Sequence, residues 1–126
     1  MMEKTNINIS EQKENLIVAL TFQFALDIVL FVEILESNRK YAIANQLIKS
    51  GTSIGANVRE AQHAESKADF IHKLKIDAKE AEETANWLEI CQHTASYPNC
   101  SNLLEQLLSI KKVLSKIIAS SKLPSS

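Results

Sequence analysis

Apolar positions recur at steps of three and four along most of the chain, and helices are the elements this spacing predicts. The sharpest case lies near the C-terminus. There Leu103, Leu107, Ile110, Leu114 and Ile117 alternate steps of four and three, the spacing of a coiled-coil seam. A helix is expected from about Asn102, because Asn102 and Glu105 have the spacing of a capping box. Residues 120–126 form a polar tail stopped by Pro124. Upstream, Phe70, Leu74, Ala78, Ala81, Ala85 and Leu88 mark a helix opened by Ser66, with Asp69 three residues on as its capping partner. Ile76, Trp87 and Ile90 stand away from that stripe. The helix ends before residues 95–99, the clearest loop, which include Pro98.

The second helix is expected over about residues 39–65, on the stripe Tyr41, Ala44, Leu47, Gly51, Ile54, Val58 and Ala61. The first runs from about residue 11 to 37 and breaks at Ser37 and Asn38, a pair that favours turns. Residues 1 to about 10 read as a polar arm. From Leu16 to Leu35, sixteen of twenty residues are apolar, so the first helix is apolar nearly all round and needs burial on more than one side. The run is long enough to span a membrane. Asp27 near its middle, and Glu33, Gln23 and Thr21 within it, argue for a core helix and no membrane partner. Four long helices joined by short loops give an all-α fold, an antiparallel up-down-up-down four-helix bundle. It occupies a single domain over residues 1–126, with a core at about 11–120.

Composition sharpens this reading. The chain has 126 residues, only two glycines and two prolines, too few turn residues for an all-β fold, and its 45% hydrophobic content excludes wholesale disorder. Both glycines, Gly51 and Gly55, fall inside the second helix, where each costs about 0.8–1 kcal/mol relative to alanine. Beside them Gln46, Ser50, Ser53, Asn57 and Glu60 form a stripe of mostly short polar side chains. Small residues four apart let another backbone approach closely. Two readings follow: a narrow crossing inside the bundle, or a contact between subunits bridged by Ser and Asn hydrogen bonds. Ser50, Gly51, Ser53, Gly55 and Asn57, with Ile76, Trp87 and Ile90, are the candidate contact residues. A lone bundle buries one stripe per helix, so the surplus apolar surface predicts a homo-oligomer. Asp27, set among apolar neighbours, requires a hydrogen-bond donor or water at a ring channel. Gln46, Asn57, Arg39 and Arg59 are the expected sources of donors.

Fourteen basic and fifteen acidic side chains leave a net charge of −1, which does not indicate a strongly basic nucleic-acid binder. The distribution is uneven, with a net +4 over residues 39–79 and −4 over residues 1–38. The basic middle is a candidate electrostatic footprint for nucleic acid, with Arg59, Lys67, Lys73 and Lys75 as its first members. The alternative is an ordinary mixed surface. No catalytic constellation is present: Gly-rich phosphate loops, HExxH and Glu-x-x-His pairs are all missing. His63, His72 and His93 are scattered, and Glu80, Glu82 and Glu83 read as a solvated face beside Lys75 and Lys79. No enzyme activity, metal or cofactor is expected. Cys91 and Cys100 are too few for a disulfide framework. With no signal peptide evident at the N-terminus, they fit free thiols in the cytoplasm.

Residues 41–61, YAIANQLIKSGTSIGANVREA, resemble the signature of a bacterial family of four-helix-bundle proteins, the 23S rRNA intervening-sequence proteins. Residues 66–74 and 79–84, then Trp87 and Leu88, also match its pattern, and the resemblance covers about residues 12–120. It implies a four-helix bundle assembled as a ring-like homopentamer. Many such proteins are encoded inside insertions of rRNA genes. A related, strongly basic branch accompanies diversity-generating retroelements, binding a reverse transcriptase and nucleic acid. The implied partners are therefore further copies of the chain, RNA, or a nucleic-acid-processing protein. The resemblance carries no catalytic residues, and the function expected is that of a non-enzymatic, oligomeric accessory module of RNA or ribonucleoprotein, the alternative being a structural or protein-interaction scaffold without nucleic-acid binding.

Overall fold

Each apolar stripe becomes the inner face of a helix. The structure, a computed structural model, describes residues 9–123, with side chains from residue 16. Most of the expected N-terminal arm and Pro124 in the tail lie outside these residues. Four helices follow one another: α1 (Ile9–Ser37), α2 (Tyr41–Ala61), α3 (Lys67–Gln92) and α4 (Ser101–Ser121), with no strand among the described residues. α1 packs on α2 and α4, and α3 packs on α2 and α4. Among the described residues no contact joins α1 to α3 or α2 to α4. Consecutive neighbours with short connections must run antiparallel, so the bundle is up-down-up-down, with α1 and α3 at opposite corners.

The core follows the expected seams closely in α4, where all five of Leu103, Leu107, Ile110, Leu114 and Ile117 are buried. In α2 the stripe from Ala44 to Ala61 is buried, but Tyr41 at its start is exposed. α1 contributes Ile17, Phe24, Ile28, Phe31, Val32 and Leu35 from one side only. The burial on more than one side expected of this helix does not occur within one chain. In α3 the buried set is Leu74, Asp77, Ala81, Thr84, Leu88 and Cys91. The inner face is thus rotated toward Asp77 and Thr84, whose polarity conceals their core positions in the sequence.

The first turn closes as a Schellman motif. The Arg39 amide bonds the Glu36 carbonyl at 3.0 Å, and the Lys40 amide bonds the Leu35 carbonyl at 2.8 Å. This places Arg39 in the left-handed region, with φ 61°. Arg39 is therefore spent in the turn, and α2 begins at Tyr41 rather than at residue 39. α2 also ends at Ala61, short of residue 65. The Gln62 and His63 amides bond back three residues, to Arg59 and Glu60, and this tight last turn stops the helix. At α3, Ser66 caps as expected and accepts from the Asp69 amide at 3.0 Å. The shorter Asp69 carboxylate reaches the Glu65 amide at 3.1 Å. At α4 the expected cap at Asn102 is replaced. Cys100 occupies the cap position, Asn99 accepts from the Ser101 amide at 2.8 Å, and Gln92 accepts from the Cys100 amide at 2.8 Å.

Candidate interaction surface

The outer side of α1 is the most unusual surface of the molecule. Phe22, Leu26, Val29, Leu30 and Ile34 all face solvent, with Leu30 60% and Phe22 51% exposed. Leu16 extends the face toward the N-terminal end. By length and composition residues 16–37 could cross a membrane, yet the inner side of this helix is built into the core. Between the two sides lies Asp27. It accepts hydrogen bonds from Gln23 at 3.1 Å and from Gln106 on α4 at 3.0 Å. The expected donors on α2, and Arg39, do not supply it, because Asp27 looks toward α4.

On the diagonal helix, Ile76 and Ile90 face outward, each 41% exposed. Trp87 is half-buried against the core, and its indole N–H lies 3.5 Å from Glu83. The remaining candidate contact residues lie on α2, where Ser50 and Gly51 are buried and Ser53, Gly55 and Asn57 are half-buried. A Cβ at Gly51 would stand 3.0 Å from two carbons of Ile28, so this glycine lets α1 and α2 approach closely. A Cβ at Gly55 would meet Thr21 at 3.4 Å, an ordinary contact. Ser53 bonds its own helix at the Lys49 carbonyl, 2.6 Å away.

Ser50 is buried on the opposite flank of the glycines, and its hydroxyl has no partner. A polar seam continues from it to Asn57 and, on α3, to Asp77. Asp77 is 0% exposed, and neither carboxyl oxygen has a hydrogen-bond partner. Burial raises its pKa to about 8, the neighbouring Asn57 amide partly offsets this, and Glu80 adds to the rise. Asp77 therefore stands protonated at neutral pH. Sequence reading missed it, although its place three residues after Leu74 and four before Ala81 puts it on the inner face.

The four basic candidates do not share one face. The Arg59 guanidinium sits 5.4 Å over the Phe22 ring, on the α1 side of α2. Lys67 donates to the Leu123 carbonyl at 2.7 Å, at the end of α4. Lys73 pairs with Asp69 at 2.9 Å. That bond lowers the Asp69 pKa and raises that of Lys73. Lys75 is exposed two residues further on, which turns it about 200° around the helix from Lys73. Elsewhere Lys111 pairs with Glu82, and Lys40 lies 5.0 Å over the Tyr97 ring. A small cavity of about 200 Å³ beside Lys73 is lined by Asn57, Glu60, Asp69, His72 and Ile76. No cluster of three metal-ligating side chains occurs among the described residues.

Comparison with known proteins places this architecture. A crystal structure of a protein of unknown function from the S23 ribosomal protein family of Bacteroides thetaiotaomicron VPI-5482 superposes with a TM-score of 0.81 at 39% identity. The match covers 85% of this chain and 98% of that one. No curated protein matches. The model of the 23S rRNA-intervening sequence proteins matches residues 13–117, from the first helix through the fourth. The bundle, with its GTSIGAN helix crossing close to α1, belongs to the 23S rRNA-intervening sequence protein family.

Proposed function

We propose that this protein acts by assembling with itself, as a non-enzymatic cytoplasmic scaffold, a homopentamer in the form its family resemblance implies. The observation that carries this reading is the outer face of α1, where five large apolar side chains from Phe22 to Ile34 stand in solvent in the single chain. Scattered apolar residues are ordinary on a protein surface, but a continuous face of this size marks an interaction site. Static light scattering tests it. The expected mass is about five times the 14.1 kDa of one chain, for a closed ring. A monomer at micromolar concentration would refute self-assembly.

RNA association is a second reading. It is favoured by the family description and by the net +4 of residues 39–79. The separation of Arg59, Lys67, Lys73 and Lys75 weighs toward the scaffold, and a ring would bring each back at several places, so that weak contacts could act together. Gel shifts with an rRNA fragment at about 50 and 200 mM salt decide the matter, because phosphate contacts weaken by orders of magnitude over that range. A salt-sensitive shift abolished by Arg59→Glu with Lys67→Glu supports RNA binding. No shift at low salt leaves the scaffold.

A further inference from the structure

We propose that the outer face of α1 in one copy docks on the Ile76–Ile90 strip of α3 in the next, so that assembly runs head to tail through two different surfaces. This rests on the self-assembly reading above and names the surface that receives α1.

Three observations lead there. The first is position. α1 and α3 occupy opposite corners of the bundle, with no contact between them among the described residues. The α1 strip looks away from the core, whereas Ile76 lies on the α2 side of α3, beside Asn57 and Glu60, so the two strips point in different directions and one neighbour cannot cover both. The second is chemistry. Outside α1, the exposed large apolar side chains among the described residues are Tyr41 at the start of α2, Ile76 and Ile90 on α3, Leu108 on α4 and Leu123 beyond it; those on α3 form a pair along one helix, and the others stand singly. Half-buried Trp87 lies between the two isoleucines and widens their strip.

The third is height along the bundle. Gly51 faces Ile28, and Asn57 neighbours Asp77. Counting along the helices from these two contacts sets Phe22 level with Asp77, beside Ile76. The same count sets Ile34 level with Glu89, beside Ile90. Phe22 and Ile34 are about 18 Å apart along α1, and Ile76 and Ile90 about 21 Å apart along α3, at 1.5 Å per residue. Because α1 and α3 run in the same direction, two copies standing side by side and parallel bring Phe22 to Ile76 and Ile34 to Ile90.

Area sets what the contact must include beyond the apolar strips. The exposed parts of the α1 side chains amount to on the order of 500 Å². A stable interface takes about 800 Å² from each partner, so Gln23, Glu33 and the adjoining helix surface complete the rim. A two-fold contact of α1 with α1 would leave Ile76 and Ile90 in water. The head-to-tail contact covers both faces of every copy, and it closes into a ring when the rotation between neighbours permits.

Complementation tests the pairing. One variant carries Leu26→Glu and Leu30→Glu, and the other Ile76→Glu and Ile90→Glu. All four positions are exposed in the single chain, and circular dichroism checks that each variant is folded. Each variant alone should have the mass of one chain, and an equimolar mixture the mass of two, because one intact α1 face and one intact α3 face remain. An α3 variant that assembles like the wild type, or a mixture that stays monomeric while the wild type assembles, overturns the pairing and leaves self-assembly standing. A monomeric wild type overturns both. Phe22→Cys and Ile76→Cys chains give an independent check that needs no glutamate to be tolerated. Under mild oxidation the mixture should yield a cross-linked dimer that neither chain yields alone. Cross-linking of Phe22→Cys chains with one another would show a two-fold contact instead.

Discussion

The cost of burying Asp77 rises with pH. Its ordinary pKa of 3.8 is raised to about 8 in the folded chain, chiefly by desolvation. Below pH 4 the group is protonated whether the chain is folded or not, so its contribution is at its best. Between pH 4 and about 8 the unfolded chain ionises and the folded one does not, so stability falls with pH and levels off above the folded value. Asp77→Asn keeps the shape and removes the ionisation. Its advantage over the wild type should grow from near zero at pH 4 to a few kcal/mol at pH 8. Thermal melts of both proteins across that range check this, and a gap that stays constant with pH would refute the assignment. At this scale the sequence was least informative. Asp27 looked like the carboxylate in need of a donor, because apolar residues surround it in sequence. It found Gln23 and Gln106, whereas Asp77, whose sequence neighbours include Lys75 and Lys79, proved to be the orphan. Neighbours along a helix point in different directions, so burial belongs to the helical face and not to the local composition.

Helices were legible because their apolar spacing is a backbone property, and α4 shows this best: its five seam residues are the ones buried. Helix ends depended on finer chemistry. Ser66 capped α3 as its spacing suggested, but Arg39 took a left-handed turn position that glycine usually fills, and this moved the start of α2. The two glycines of α2 could be read from sequence as small residues at close-packing spacing, but not told apart. The structure separates them. Ile28, fully buried, would have to give by a few tenths of an ångström to admit even a Cβ at Gly51, whereas Thr21 leaves ordinary contact distance at Gly55. Gly51→Leu should therefore destabilise the bundle by about 1–3 kcal/mol through overpacking. Gly55→Ala should stabilise it by up to about 1 kcal/mol, the helix-propensity difference. Chemical denaturation of the two variants side by side checks both signs.

The whole molecule was readable as a bundle from four stripes, but the surplus apolar surface could be placed only once the stripes had been used. α1 turned out to bury a single side, and its remainder gathers on the outside in one continuous strip. The basic residues show the converse. They are close in sequence, yet the turn between α2 and α3 and the helical twist send Arg59, Lys67, Lys73 and Lys75 to separate neighbours. Self-assembly has a thermodynamic signature that needs no structure. Anything that binds only the folded chain stabilises it in proportion to the logarithm of its concentration. The melting temperature of the wild type should rise between about 1 and 100 µM protein, while that of the Leu26→Glu, Leu30→Glu variant should not. A wild-type melting temperature independent of concentration would count against assembly.

Cys91 and Cys100 sit at the end of α3 and at the cap of α4, where the chain reverses for the last time. Both are buried, the Cys100 thiol donates to the Leu88 carbonyl at 3.2 Å, and burial pushes both thiols up to about 11. A thiol so rarely ionised and so well covered is chemically silent while the bundle is closed. Its reaction with a labelling reagent becomes a clock for the opening of that one end. The chain thus carries a native pair of reporters that can time the fraying of the α3–α4 corner separately from the loss of the whole fold.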